Sequence, residues 1–87
     1  MANSTIKKPL QAYNSSVNLP AISASGSTHI TTGIAVFPAM VQIKDEINGY
    51  DISVTNWYMS NGVLKLVVHN TETVSRPEAA VKIYYVY

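Results

Sequence analysis

The sequence predicts a small all-β domain, an antiparallel sandwich or jelly-roll-like barrel of about six short strands. Turn signals recur about every eight to twelve residues, strand-like alternation fills the intervals between them, and no stretch has a convincing amphipathic-helix period. The 87 residues make one domain, and a chain of this length buries only about 60–65% of the surface its unfolded state exposes. Hydrophobic residues are 47% of the chain and cysteine is absent. With neither disulfide nor metal to staple a thin core, burial against further copies or a partner is the remaining route to stability, so a homo-oligomer is expected.

Charge narrows the function classes. The formal net charge is +1 and only 13% of residues are charged, about half the usual share, so no long-range field gathers phosphates or acidic polymers. Nucleic acid is not an expected partner: there is no basic stripe and no RNP-like aromatic strand, and the one adjacent basic pair is Lys7-Lys8. Asn, Ser and Thr take the place of charge and suit hydrogen bonding to neutral polar ligands. No apolar run approaches the roughly 20 residues of a membrane span, and MANSTIKKPL lacks the apolar centre of a secretory signal. A chain without membrane insertion or an obvious export signal is expected.

Residues 1–16, polar and carrying Pro9, read as an extended N-terminal arm or linker, with the sandwich over 17–87. Ile6, Leu10 and Tyr13 are spaced to touch a partner and also fit a single helical turn. In VNLPAIS, Val17 and Leu19 alternate before Pro20, which confines the segment to an edge strand or an extended segment. After Ala24-Ser25-Gly26-Ser27 the run HITTGIAVF reads as a strand with a possible bulge at Gly33, ended by Pro38. Met40 to Ile43 form another short strand, Lys44-Asp45-Glu46 a solvated charged turn, and Asn48-Gly49 a further turn. TETVSRPEA is a loop long enough to cross one end of a sandwich. The last strand, AVKIYYVY over Ala80–Tyr87, is apolar on both faces and so belongs at the centre of a sheet or between subunits.

The most informative stretch is Tyr50 to Asn70, YDISVTNWYMSNGVLKLVVHN, two strand-like runs meeting at Asn61-Gly62, a strong hairpin signal. A two-residue turn would set Tyr58 opposite Lys65, Trp57 opposite Leu66 and Val54 opposite His69, scattering apolar groups over both faces. A three-residue loop, Ser60-Asn61-Gly62 with Gly62 in a G1 bulge, instead pairs Tyr58 with Leu64, Asn56 with Leu66, Val54 with Val68 and Ile52 with Asn70. That register is preferred because it makes one face largely apolar. The other face then collects Asp51, Ser53, Thr55, Trp57, Lys65, Val67 and His69.

No catalytic constellation emerges. His29 and His69 lie on strands without metal-ligand spacing, and no P-loop, GxSxG or GxGxxG motif occurs. Ser53, His69 and Asp51 resemble a triad only superficially, since an open strand face offers neither oxyanion donors nor excluded water. No catalytic residue, metal site or cofactor is therefore expected. The same face suits recognition: Trp57 opposite Lys65, with Thr55, Ser53, His69 and Asp51 around it, offers an aromatic platform among donors and acceptors, as a sugar ring requires. Trp57 as core or subunit interface is the other reading.

Taken whole, the leader ANSTIKKPL, the segments GIAVFPAMVQI, NGYDISVTN and GVLKLVVHN, and the aromatic final strand VKIYYVY resemble in layout the short tail-associated proteins of bacteriophages, with their H-type-lectin-like fibre heads. The resemblance implies a trimeric β-sandwich knob in the virion, assembled in the host cytoplasm and joined to other virion proteins by its N-terminal arm. It implies a tail-fibre or baseplate head that recognises a host-surface glycan. A capsid decoration or cement protein without ligand binding is the alternative expectation.

Overall fold

A computed structural model describes residues 9–87. Six strands follow one another: β1 Ala12–Leu19, β2 Ser27–Thr31, β3 Met40–Lys44, β4 Ile52–Ser60, β5 Val63–Asn70 and β6 Ala79–Val86. They form two antiparallel three-stranded sheets, ordered β1-β6-β3 and β2-β5-β4. The chain alternates between the sheets until the β4–β5 hairpin, then returns to the first sheet through β6. The expected small sandwich of six strands is what the chain builds.

Alternation of residue type places the core between the sheets. In β5 every second residue is buried, through Leu64, Leu66, Val68 and Asn70. The facing sheet supplies Leu19, Val41, Ile43, Val81 and Ile83. Such a period-two pattern is the mark of strands with one face on a core. β6, apolar on both faces, runs between β1 and β3, as its composition requires. Its inward Tyr85, with Tyr13 and Tyr87, makes a run of stacked rings at one end of the sheet, with centroids 4.8 to 6.2 Å apart.

Three local expectations need correction. Residues 12–16 of the anticipated arm belong to β1, because Tyr13, Ser15 and Val17 continue the inward period of Leu19 and pair with Tyr85, Ile83 and Val81. Residues 1–8 of that arm, including Ile6, lie outside the described residues. Gly33 is not a bulge within a strand, since β2 stops at Thr31. Ile30, Thr32 and Ile34 nevertheless remain alternately buried, and the departing chain stays tied to β5: Thr32 N–H and Oγ1 both donate to the Leu64 carbonyl, and Leu64 N–H donates to that of Ile34.

Asp45 is not in a solvated turn. It is buried together with Arg76, whose Nε lies 2.8 Å from its Oδ2, while Oδ1 accepts the N–H of Asn48. Arg76 sits in the 71–78 crossing, exchanges two backbone hydrogen bonds with Ile22 and donates from Nη1 to the Pro77 carbonyl. The crossing is held further by the buried Asn70. Its Nδ2 reaches the carbonyls of Ile22, Ser23 and Val74, and its Oδ1 accepts from Glu72 N–H. Pairing of this kind is what keeps most buried polar groups in a core; among the described residues Arg76 Nη2 is buried without a partner.

Candidate functional site

The outward face of the β2-β5-β4 sheet is where the recognition residues were expected, and the β4–β5 register decides who stands there. At the turn Asn61 and Gly62 both have positive φ, 54° and 80°, the signature of a two-residue type I′ turn. Next to it Ser60 pairs with Val63, Met59 with Leu64, Tyr58 with Lys65 and Trp57 with Leu66. The three-residue loop is therefore incorrect. Beyond it the ladder shifts by one residue between Val54 and Asn56, after which Val54 pairs with Val68 and Ile52 with Asn70, the pairs anticipated for the far half. The extra residue is Thr55, a bulge in the middle of β4. It reconciles the two registers, because each half of the strand turns its own apolar residues inward.

Trp57 consequently stands on the core side. It is half-buried, packs against the core cluster and donates its indole N–H to the Pro38 carbonyl at 3.2 Å. Tyr58 takes its place outside, opposite Lys65. Thr55 and Asn56 are both exposed, and Thr55 Oγ1 points toward the Val67 carbonyl at 3.4 Å. Ser53 and His69 share a register position on the outer face as expected. Asp51 lies just beyond the start of β4, where its backbone N–H donates to Glu72 and its carbonyl accepts from Thr71.

β2 completes the face, and its contribution was missed because the sequence alone does not reveal which strand covers the other side of β5. Ser27 pairs with His69, His29 with Val67 and Thr31 with Lys65. Three side-chain links cross the strands: Ser27 Oγ to His69 Nδ1 at 2.9 Å, His29 Nδ1 to the Tyr58 hydroxyl at 3.0 Å, and Lys65 Nζ donating to Thr31 Oγ1 at 2.8 Å. The His29 and Tyr58 rings meet edge to face with centroids 6.2 Å apart. In the two histidine links the ring tautomer decides which partner donates. The one signal for β2 was the polar parity of Ser27, His29 and Thr31, which matches that of Lys65 and His69.

Chemically the face is a shallow array of hydrogen-bonding groups around Val67. His69 Nδ1 engages Ser27, so the Ser53–His69 juxtaposition lacks the oriented base of a hydrolytic triad. Among the described residues no group of three or more His, Cys, Asp or Glu is placed to hold a metal ion. A groove of about 360 Å³ lies elsewhere, beside Lys44, Asp45 and Gly49 to Ile52. No protein-family model, curated protein or solved structure matches the chain.

Proposed function

We propose that the protein is a non-enzymatic recognition domain, a tail-fibre or baseplate head of a phage virion, which holds a host-surface saccharide on the outer face of β2, β5 and β4. The observation that carries the binding reading is the set of three cross-strand links that join Ser27 to His69, His29 to Tyr58 and Thr31 to Lys65 on one sheet face. Neutral donors and acceptors fixed beside an aromatic ring suit hydroxyl groups and the C–H face of a sugar. Tyr58 supplies the ring that Trp57 was expected to supply, and Ser53 and Asn56 extend the polar surface. The virion setting is supported by layout resemblance alone.

A glycan array tests the reading. Binding by the wild-type chain that falls at least about tenfold in Tyr58→Ala and in His29→Ala, with unchanged far-UV circular dichroism, is the expected result. An array without any signal, or binding indifferent to both substitutions, overturns it.

A second reading, a decoration or cement protein, is favoured by the exposed Leu10, Phe37, Met40 and Met59. Register brings three of them toward one end of the sandwich: Met40 pairs with Val86, Leu10 precedes the Gln11–Tyr87 pair, and Phe37 adjoins the carbonyl that holds Trp57. Apolar side chains concentrated in this way mark association surfaces. On this reading Phe37→Ser with Met40→Ser abolishes co-sedimentation with virions lacking the chain, and Tyr58→Ala leaves it intact.

A further inference from the structure

Each sheet has two edges, and three of the four carry a feature that discourages pairing. β2 is five residues long. β3 has the same length, ends in Lys44 and follows Pro38 by one residue. β4 is broken by the Thr55 bulge. Short strands, charge, proline and bulges are how sheet edges are protected from unwanted partners. β1 is the least protected: it is eight residues long, AYNSSVNL, with no charge, proline or bulge within it, and Pro20 closes only its last position.

The direction of its free groups follows from the ladder. Gln11 and Tyr87 exchange both backbone hydrogen bonds, so in the alternation of an antiparallel pair Tyr13, Ser15, Val17 and Leu19 also bond to β6. The N–H and C=O groups of Ala12, Asn14, Ser16 and Asn18 therefore point away from the sheet. Their side chains are small or neutral, and all four residues are exposed. Among the described residues no strand occupies this edge.

We propose that β1 pairs with β1 of a second copy of this chain, antiparallel about a two-fold axis at Ser16, joining two three-stranded sheets into one of six strands. The occupant is a second copy because β1 itself has no charge to set against its own equivalent, and the charges that reach its outer face, Lys82 on Asn14 and Glu78 on Asn18, fall as opposites across the axis. The register is self-complementary. Ser16 meets Ser16 and exchanges both backbone hydrogen bonds, Asn14 meets Asn18 across the axis on the outer face, and Tyr13 meets Leu19 on the inner face. Pro20, which has no N–H to give, falls opposite Ala12 and ends the pairing. An isologous interface of this kind closes at two copies, unlike the three-fold arrangement that the layout resemblance implies. It is independent of the saccharide reading.

The test is the mass of the chain in solution by analytical ultracentrifugation at about 100 μM, with amide exchange read residue by residue. Wild type is expected to be a dimer whose Asn14, Ser16 and Asn18 amides lose protection on dilution. Ser16→Pro removes a donor from the interface and none from the β1–β6 ladder, so it is expected to be a folded monomer. Ser16→Lys and Ser16→Glu chains should each dimerise at least about tenfold more weakly than wild type and recover on mixing, because only this axis sets position 16 against itself. A wild-type monomer or trimer overturns the proposal, whether or not the edge accepts a strand of another protein. So does a dimer whose Ser16 amide exchanges equally fast at all concentrations.

Discussion

Asp45 and Arg76 form an ion pair, Nε to Oδ2 at 2.8 Å, in which neither side chain reaches solvent. It ties the turn after β3 to the crossing before β6, and so one sheet to the chain arriving from the other. Removing one partner leaves an uncompensated buried charge, which costs about 3–5 kcal/mol. Asp45→Ala and Arg76→Ala are each expected to lower the urea-unfolding free energy by that amount. The double variant Asp45→Ala with Arg76→Ala should cost clearly less than the two single variants added together, as non-additivity in a double-mutant cycle.

Asn70 is the second polar anchor of the same crossing. Asn70→Ala removes the side-chain partner of the Val74 carbonyl and of the Glu72 N–H, and leaves the Ile22 and Ser23 carbonyls with only their backbone partners, Arg76 and Gly26. The expected loss is about 1–3 kcal/mol, measured by chemical denaturation. Amide exchange should rise first at Ile22 and Arg76, which bridge the two segments.

The inward placement of Trp57 makes it a contributor to the core rather than to the outer face. Trp57→Ala is expected to cost about 1.5–3 kcal/mol through lost burial and to lower the thermal midpoint. Tyr58→Ala, on the opposite face, should change stability little, and on the proposed saccharide reading it lowers the glycan-array signal. A thermal midpoint unmoved by Trp57→Ala would contradict the observed register.

Tyr84 donates its hydroxyl to Glu46 Oε2 at 2.8 Å. That hydrogen bond, then desolvation, then the carboxylate's charge hold the phenol above its ordinary value of 10.0. Because the folded-state value is the higher one, the contribution to stability is full below pH 10 and is lost as pH rises through the elevated value. In Glu46→Gln the Tyr84 titration, followed by tyrosinate absorbance, should move back toward the ordinary range. The stability difference between the two proteins should then shrink at alkaline pH.

Much of the architecture was legible because burial leaves a period-two trace. The central place of β6 followed from its two apolar faces, and the edge position of β1 from Pro20. The ion pair of Asp45 and Arg76 left no such trace, since each residue alone looks like a solvated charge in a polar loop and their meeting depends on how the crossing folds. The face of β2, β5 and β4 was half visible: Ser53, Lys65 and His69 could be placed from one hairpin, whereas Ser27, His29 and Thr31 needed a pairing between residues far apart in the chain. Trp57 was misplaced because a single phase was assumed for the whole of β4.

Gly62 offers a direct check on the turn. Its φ of +80° suits glycine, so Gly62→Ala is expected to cost about 1–2 kcal/mol, seen as a lower denaturation midpoint.

The bulge at Thr55 gives β4 two reading frames. Before it, even-numbered positions are inward and must remain apolar; after it, odd-numbered ones are. Deleting that one exposed residue would keep the composition of the strand almost unchanged and still scramble its meaning, because Ile52 and Val54 would be translated to the solvent side while Trp57 and Met59 held their places. Substitution at Thr55 should be tolerated and its removal should not, so the backbone position carries the information and the side chain carries little.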